Sequence, residues 1–394
     1  MERIGIYGGT FNPPHIGHLE AARCAVDALR LDKLLLIPDR ISPHKVLPLG
    51  SPTPQQRLEM VRIAARDMEK VQVCDLELNR EGPSYTYETV EHLHREYPDA
   101  ELFLLMGTDM LETFLQWREP ERILRHVTLA CFCRGLKGER DRIKNAKQAL
   151  EAAGARVELI HNSIIDISST QLRRMLVFRC AGPFLPAGVE EYIREKGLYE
   201  TGRDFRNLPM DELEAVVIRL LNPNRVAHVL GCRDTAAKLA EHWGANVTDA
   251  ARAGLLHDIT KAIDGPLQLT LCGEYGTMLD DFSRRYPKTL HALTGSLVAE
   301  RIFGENEAVV SAIRSHTTGK ANMNTLEKII YVADYMEPCR NFPGVERLRE
   351  LAYSDLDAAL KCGLEMTLEH LARQGSEVSP ESREALAWLN NNGI

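Results

Sequence analysis

The spacing of apolar and polar residues changes character halfway along the chain. In the first half, short apolar runs alternate with stretches of helical period. Arg3 to Tyr7, Lys33 to Pro38, Val71 to Leu78, Glu101 to Gly107, Val127 to Arg134 and Arg156 to Ile160 read as strands. Ile16 to Leu29, Pro54 to Met68 and Tyr85 to Glu96 read as helices. Runs such as Leu34-Leu35-Leu36-Ile37 and Leu102-Phe103-Leu104-Leu105 are apolar throughout, as strands covered on both faces must be. This β-α-β alternation predicts an α/β unit with a parallel sheet layered by helices. From Met210 onward strand-like runs vanish. Asp211 to Leu221, Arg225 to Trp243, Asp249 to His257, Leu290 to Phe303, Glu307 to His316, Thr325 to Tyr335, Asp355 to Arg373 and Ser382 to Leu389 have helical spacing. The expected organisation is an α/β domain over 1–202, a polar linker over 203–209 and an all-α domain over 210–394.

Length agrees with that division, since 394 residues suit two or three domains. Charge narrows the partners. Lys plus Arg is 48 against 56 for Asp plus Glu, a net charge of −8, which argues against a broad nucleic-acid surface. Apolar runs fall short of the ~18 residues a spanning helix needs, and the N-terminus lacks the pattern of a signal peptide. The nine cysteines are odd in number and scattered, with Cys131 and Cys133 in an apolar stretch, so they read as core thiols. A reducing cytoplasm is the expected compartment, with neither nucleic acid nor membrane as partner.

The first candidate site follows the first strand directly: Gly8-Gly9-Thr10-Phe11-Asn12-Pro13-Pro14-His15-Ile16-Gly17-His18. Glycines at the C-terminal end of a parallel strand let backbone approach a phosphate, and the next helix offers its N-terminus to an anion. His15 and His18, three apart, share a helix face and can donate to phosphate oxygens, while Gly17 leaves room for a base or ribose. This string resembles the nucleotide-binding signature of the HxGH nucleotidyltransferases, and its Gly-Gly-Thr-Phe-Asn-Pro-Pro-His form most resembles bacterial nicotinate-nucleotide adenylyltransferases. Pro43-His44-Lys45, Gly82-Pro83-Ser84-Tyr85-Thr86, Gly107-Thr108-Asp109, Trp117, and Ile167-Ser168-Ser169-Thr170-Gln171-Leu172-Arg173 extend the likeness to about Glu200. The resemblance implies adenylyl transfer from ATP, carried with Mg²⁺, to nicotinate mononucleotide. His15, His18, Lys45 and Arg173 would then be catalytic, neutralising the phosphates. Gly8, Gly9, Thr10, Phe11, Ser168 and Ser169 would line the nucleotide site, with Thr10 donating nearby. Gly107 would lie beside it, Asp109 would hold ribose hydroxyls, Trp117 would stack on the pyridine, and Ser84, Tyr85 and Thr86 would face its carboxylate. Class I aminoacyl-tRNA synthetases share the letters His-Ile-Gly-His but need a Lys-Met-Ser-Lys-Ser-type loop that is not visible here. Pantetheine-phosphate adenylyltransferases lack the Ser-Tyr-Thr and Trp features.

The second half carries His228, His257-Asp258, His291, His316 and Asp334, each in or at the end of a helix-like segment. Any one alone is ordinarily a satisfied core histidine or a capping aspartate. Six in order, two of them at the ends of apolar runs where a charge needs a partner, point to metal. The set resembles the HD phosphohydrolase superfamily. Leu255 to Lys261, Ser315 to Gly319, and Ile330 to Val345 further resemble bacterial HD-type diadenosine tetraphosphate hydrolases. The resemblance implies a dinuclear centre of Fe, Mn or Zn. His228, His257, Asp258 and Asp334 would hold one ion, and His291, His316 and a bridging Asp258 the other. Asp258 and Lys261 would be catalytic and Arg340 would hold polyphosphate, cutting diadenosine tetraphosphate symmetrically into two ADP.

The chain is thus expected to be a fusion: an α/β Rossmann-like nucleotidyltransferase domain followed by an all-α HD-domain phosphohydrolase. The alternatives for the second domain are another nucleotide substrate (a dNTP, a cyclic nucleotide or another polyphosphate) or a sensor that holds metal without turnover. Oligomeric state is open, a homodimer among the options.

Overall fold

The computed structural model describes residues 1–43, 46–133, 138–161, 165 and 167–393. The chain divides into two compact units, Met1–Gly202 and Arg203–Ile394.

The first unit opens with β1 (Arg3–Gly9), α1 (Ile16–Ala28), β2 (Lys33–Pro38), α2 (Pro54–Ala65), β3 (Val71–Val73), α3 (Thr86–Glu96) and β4 (Glu101–Gly107). Then follow α4 (Thr108–Thr113), α5 (Pro120–Leu124), β5 (Val127–Cys133), α6 (Glu139–Ala152), β6 (Val157–His161), α7 (Ser169–Val177) and α8 (Val189–Glu195). The six strands form one sheet in the order β3-β2-β1-β4-β5-β6, and every pairing is parallel. The two-residue period of the strands sorts the core into two layers. Ile4, Ile6, Leu35, Ile37, Leu102, Leu104 and Met106 pack on one side, with Val90 and Leu93 of α3. Leu34, Leu36, Phe103 and Leu105 pack on the other, with Ala21, Ala22 and Ala25 of α1. Gly5 has a local reason: a Cβ there would come within 2.4 Å of Leu34 Cδ1 and 2.6 Å of Leu31 Cδ1.

Two expectations need correction. The strand expected over Val71 to Leu78 ends at Val73, because Cys74 to Arg80 turns away and Glu77 enters a polar cluster described below. Helices α4 and α5, only six and five residues long, and α6 and α8, with mostly polar exposed faces, escaped the pattern reading. Cys131 and Cys133 are buried free thiols of β5, as their apolar setting suggested.

Chain order reverses between β1 and β4, so their C-terminal ends, Gly8-Gly9 and Gly107, flank the crevice where parallel sheets bind ligands.

The second unit contains no strand among the described residues. Its helices are α9 (Met210–Leu220), α10 (Val226–Trp243), α11 (Val247–Leu256), α12 (Gly265–Glu274), α13 (Asp281–Arg285) and α14 (Leu290–Arg301). They continue as α15 (Glu307–Ser315), α16 (Thr325–Met336), α17 (Val345–Ser354), α18 (Leu356–Arg373) and α19 (Pro380–Asn391). Of these, α12, α13 and α17 were not foreseen. Asparagine or aspartate caps start α11, α12, α15, α16 and α18, each accepting a backbone N–H three residues on. α10 packs on α11 and α16, and α14 on α15. At the α10–α11 crossing a Cβ on Gly254 would meet Arg233 Cα at 2.9 Å, so glycine permits the close approach. No described helix is long and apolar enough to cross a membrane.

Candidate functional site

In the first unit two adjoining cavities share Tyr7, Gly9, Thr10 and Gly107. The larger gathers His15, His18, Phe11, Asp109, Ser168, Ser169 and Arg173. The other gathers Gly8, Ser84, Thr86 and Trp117. The His15 and His18 rings lie close together, centroids 3.7 Å apart and planes tilted by 32°, and His18 Nδ1 accepts the His15 backbone N–H at 3.1 Å. Gly17 serves that pair: a Cβ would come 3.0 Å from His15 Nδ1 and 3.2 Å from the Ile165 carbonyl oxygen. Gly17 itself lines the larger cavity, so the absence of a side chain there keeps the His15 ring and the cavity wall in place.

Ser168 caps α7, accepting the Gln171 N–H, and Ser169 donates to the Pro13 carbonyl. Arg173 Nη1 donates to the Asn12 carbonyl at 2.8 Å, and Tyr199 donates to the Asn12 side chain at 2.8 Å. Burial pushes the Tyr199 phenol well up, so it stays a proton donor. These bonds tie the segment after β1 to the start of α7.

Thr10 departs from expectation. Its hydroxyl donates to Asp39 Oδ2 at 2.7 Å, which leaves its backbone rather than its side-chain proton for an anion. Beneath it lies Arg57, fully buried, which no motif had marked. Its guanidinium donates to the Thr10 carbonyl, Asp39 Oδ1 and the carbonyls of Asp39 and Arg40, at 2.7–3.2 Å. The signal that could have found it is a charge on the buried face of α2.

A second polar node braces the Ser84-Tyr85-Thr86 segment. Buried Glu77 accepts from Thr89 Oγ1 at 2.7 Å, Arg80 contacts Thr89 and Glu88, and Ser84 Oγ accepts the Arg40 N–H. Burial raises the Glu77 carboxyl above its ordinary value despite the Thr89 hydrogen bond and Arg80. Tyr85 does not line the cavity; its ring takes the Arg118 guanidinium at 4.5 Å. Asp109 is exposed and paired with Arg142 at 3.0 Å, at the edge of the larger cavity. The Trp117 ring packs on Phe114, centroids 5.0 Å apart, and also faces the cavity. Lys45 lies outside the described residues.

The second unit brings all six expected ligands together. His228 stands in the first turn of α10, His257 and Asp258 directly after α11, His291 in the first turn of α14, His316 directly after α15, and Asp334 near the end of α16. The tandem pair thus sits in the turn that follows a helix end, where both side chains reach the same cluster. His228 Nε2 lies 3.3 Å from His257 Nε2, 3.5 Å from Asp258 Oδ2 and 3.2 Å from Asp334 Oδ1. His257 Nε2 lies 3.4 Å from Asp258 Oδ2 and 3.9 Å from Asp334 Oδ1. Asp258 Oδ1 faces His291 Nε2 at 3.5 Å and His316 Nε2 at 3.9 Å. Such separations are what donors ~2.0–2.2 Å from a shared cation produce.

The other ring nitrogen of every imidazole is fixed. Nδ1 of His257, His291 and His316 meets the carbonyls of Gly254, Lys288 and Ile313 at 2.6–2.9 Å. Nδ1 of His228 meets Glu337 Oε1 at 3.0 Å. A carbonyl can only accept, so at those three histidines Nδ1 carries the proton and Nε2 presents its lone pair. Burial holds His257 and His291 well below their ordinary range and His316 at about 4, so these rings are neutral. Burial would raise Asp334, yet the His228 bond and the surrounding imidazoles and Arg340 hold it well below the usual carboxylate range. The donor set therefore fits divalent metal.

Cations ring this cluster. Lys261 Nζ is 3.2 Å from Asp258 Oδ1 and 3.4 Å from His291 Nε2; burial lowers it to about 8. Arg340 donates to Asp334 Oδ1 at 2.5 Å, and Arg225 Nη2 lies against Asp258 Oδ2. Three nearby residues escaped sequence reading: Arg225, Cys232 and Glu337. Each repeats at helical spacing from a ligand, with Arg225 three before His228, Cys232 four after it, and Glu337 three after Asp334. Cys232 Sγ sits 3.7 Å from His228 Nε2.

Residues 6–175 match the cytidylyltransferase-like family model and residues 225–339 the HD domain model. Over 200 residues the chain is 36% identical to a probable nicotinate-nucleotide adenylyltransferase of Exiguobacterium sibiricum, covering 50% of this chain and all of that protein. Over 338 residues it is 28% identical to a probable nicotinate-nucleotide adenylyltransferase/Ap4A hydrolase of Mycoplasma pneumoniae, covering 85% of this chain and 88% of that one. A crystal structure of a predicted HD superfamily hydrolase involved in NAD metabolism from Clostridium acetobutylicum is 36% identical, with a TM-score of 0.46, covering 47% of this chain and 98% of that one.

Proposed function

The chain belongs to the nicotinate-nucleotide adenylyltransferase family and carries an HD domain behind it, and from that premise we propose two phosphorus reactions on one polypeptide. The first joins ATP to nicotinate mononucleotide. A phosphate oxygen of the mononucleotide bonds to the α-phosphorus of ATP, the α–β bridging bond breaks, and pyrophosphate leaves. The attacking phosphate is already anionic, so a protein nucleophile is unnecessary. Catalysis is then positioning and charge neutralisation. His15 and His18 donate to the ATP phosphates, with Gly8, Gly9 and the Thr10 and Phe11 backbone shaping the turn around them. Ser168 and Ser169, at the α7 N-terminus, and Arg173 face the same cavity. Lys45 and Arg173 offset charge on the leaving pyrophosphate, and Mg²⁺ arrives with ATP. Gly107 and Asp109 border the nucleoside, Trp117 covers the pyridine, and Ser84, Tyr85 and Thr86 provide the segment that meets its carboxylate. The observation that carries this reading is the convergence of His15, His18 and Arg173 on the crevice beyond β1 and β4.

The second reaction is symmetrical hydrolysis of diadenosine tetraphosphate. His228, His257, Asp258 and Asp334 would hold one divalent ion, and His291, His316 and Asp258 another. Fe, Mn or Zn suits this mixed imidazole–carboxylate set. When bound, the pair supplies Lewis-acid charge and activates water at neutral pH. Lys261 and Arg340, beside Asp258 and Asp334, would meet the bridging phosphate oxygens, and Glu337 would keep the His228 ring oriented. Water's oxygen replaces the central bridging oxygen on one phosphorus, and two molecules of ADP result. The observation that carries this reading is the four imidazoles, each fixed through Nδ1, around the buried Asp258 and the partly buried Asp334.

Product analysis on the full chain tests both. ATP with nicotinate mononucleotide should give nicotinate adenine dinucleotide and pyrophosphate; preference for nicotinamide mononucleotide would overturn the pyridine-carboxylate assignment. Diadenosine tetraphosphate should give ADP alone; AMP plus ATP would reject the symmetrical cut.

A further inference from the structure

A cavity of about 650 Å³ adjoins the second site, and none of the six metal ligands lines it. Its walls are Tyr335, Phe342 and Met366, with Arg340, His370 and Arg373 supplying polar edges. That volume lies within the ~300–1,000 Å³ typical of small-molecule sites.

Arg340 belongs to both places. Its Nη2 and Nε donate to the Asp334 carboxylate and carbonyl at 2.5 and 2.7 Å, while its side chain borders the cavity. The aromatic walls are held rigidly. Tyr335 follows Asp334 in sequence, stacks on Tyr331 with centroids 5.7 Å apart and planes 8° from parallel, and has its hydroxyl bonded to Thr367. Phe342 meets Tyr335 edge-on at 6.0 Å. The segment from Arg340 to Gly344 is seated against α18, since Gly344 adopts φ +97° and a Cβ there would strike Met366 Cε at 2.7 Å.

Flat apolar faces beside guanidinium groups match a nucleobase joined to phosphate. A polyphosphate cut at the metal cluster must send a nucleoside arm away from it, and Arg340 marks the exit toward this cavity. We propose that the cavity is the nucleoside subsite for one ADP half of the substrate, with the base against Phe342 and Tyr335 and its diphosphate led past Arg340. The assignment rests on the hydrolase reading above. Glu369 also lines the cavity, which disfavours a wholly anionic occupant and suits a neutral base there.

The test uses the full-length, metal-loaded protein, with ADP and inorganic pyrophosphate as calorimetric probes. Phe342→Ala should weaken ADP about 10-fold, within the range of one base–aromatic stack, and leave pyrophosphate affinity and metal content unchanged. KM for diadenosine tetraphosphate should rise in parallel, and Phe342→Tyr should restore both. Arg373→Ala, an exposed change that spares folding, should weaken ADP about 3-fold, in line with an exposed cation–π or phosphate contact. Unchanged ADP affinity in both alanine variants would overturn the subsite, as would weakened ADP with unchanged KM. Phe342-dependent ADP binding without turnover of diadenosine tetraphosphate would instead overturn the substrate reading and leave a nucleoside pocket.

Discussion

On the proposed reading, the two units meet phosphate by opposite means. The first uses what the backbone of a parallel sheet already offers: a glycine turn after β1, helix starts at α1 and α7, and few charged groups. Of its buried polar residues, Arg57 stands behind the cavity and holds Asp39, while Asp39, Glu77 and Thr89 themselves line its smaller part. The second builds its site entirely from side chains at helix ends, each ring fixed by a further bond. A site made from backbone tolerates replacement of single side chains better than one in which every ligand completes a shared cluster.

Asp258→Ala attacks that contrast most strongly. Among the described residues, Asp258 is the one carboxylate facing all four imidazoles. Its loss should abolish diadenosine tetraphosphate hydrolysis, by more than about 10³-fold, and deplete metal measured by elemental analysis, with dinucleotide synthesis unaltered. Unchanged hydrolysis would reassign the second unit as a metal-holding module. His18→Ala should lower adenylyl transfer by about 10²–10³-fold, as removal of one preorganised donor does, with little change in melting temperature. Equal loss of activity and folding would make His18 structural.

Arg57→Met addresses the scaffold. It strands Asp39 without its buried partner and should cost about 3–5 kcal/mol of first-unit stability in denaturant titration, sparing the second unit. Glu337→Gln should weaken metal affinity about 10–100-fold, read by chelator competition, because His228 loses its carboxylate orienter.

The smallest effect concerns pH. Glu77 has a raised folded-state value, so the folded form holds its proton more tightly than the unfolded chain. Its contribution is fully present below the ordinary value of 4.5 and is lost as pH rises through the folded value. Glu77→Gln, which does not titrate, should therefore gain in melting temperature relative to wild type as pH climbs from acid to neutral. A constant difference across that range would show that Glu77 carries no such penalty.

The sequence by itself determined the class of each unit and most elements, because short apolar runs such as Leu102 to Leu105, repeated between helical stretches and closed by turn residues, read as buried strands, and α10 and α16 show a helical period. It also singled out the six residues that the structure brings together, His257-Asp258 and Asp334 by their place at the ends of apolar runs and the whole set by its resemblance to HD phosphohydrolases. Only the tertiary structure decided which groups stand behind those residues. Arg57 meets Thr10 and Asp39, and Glu337 meets His228, across separations of 47, 18 and 109 residues, and neither carries a local pattern that reports its partner. Likewise the Thr10 hydroxyl turned to Asp39, because a neighbour brought in by the sheet competes for the same atoms as any ligand. Periodicity records which side of an element faces inward; pairing between elements depends on distances that only packing sets.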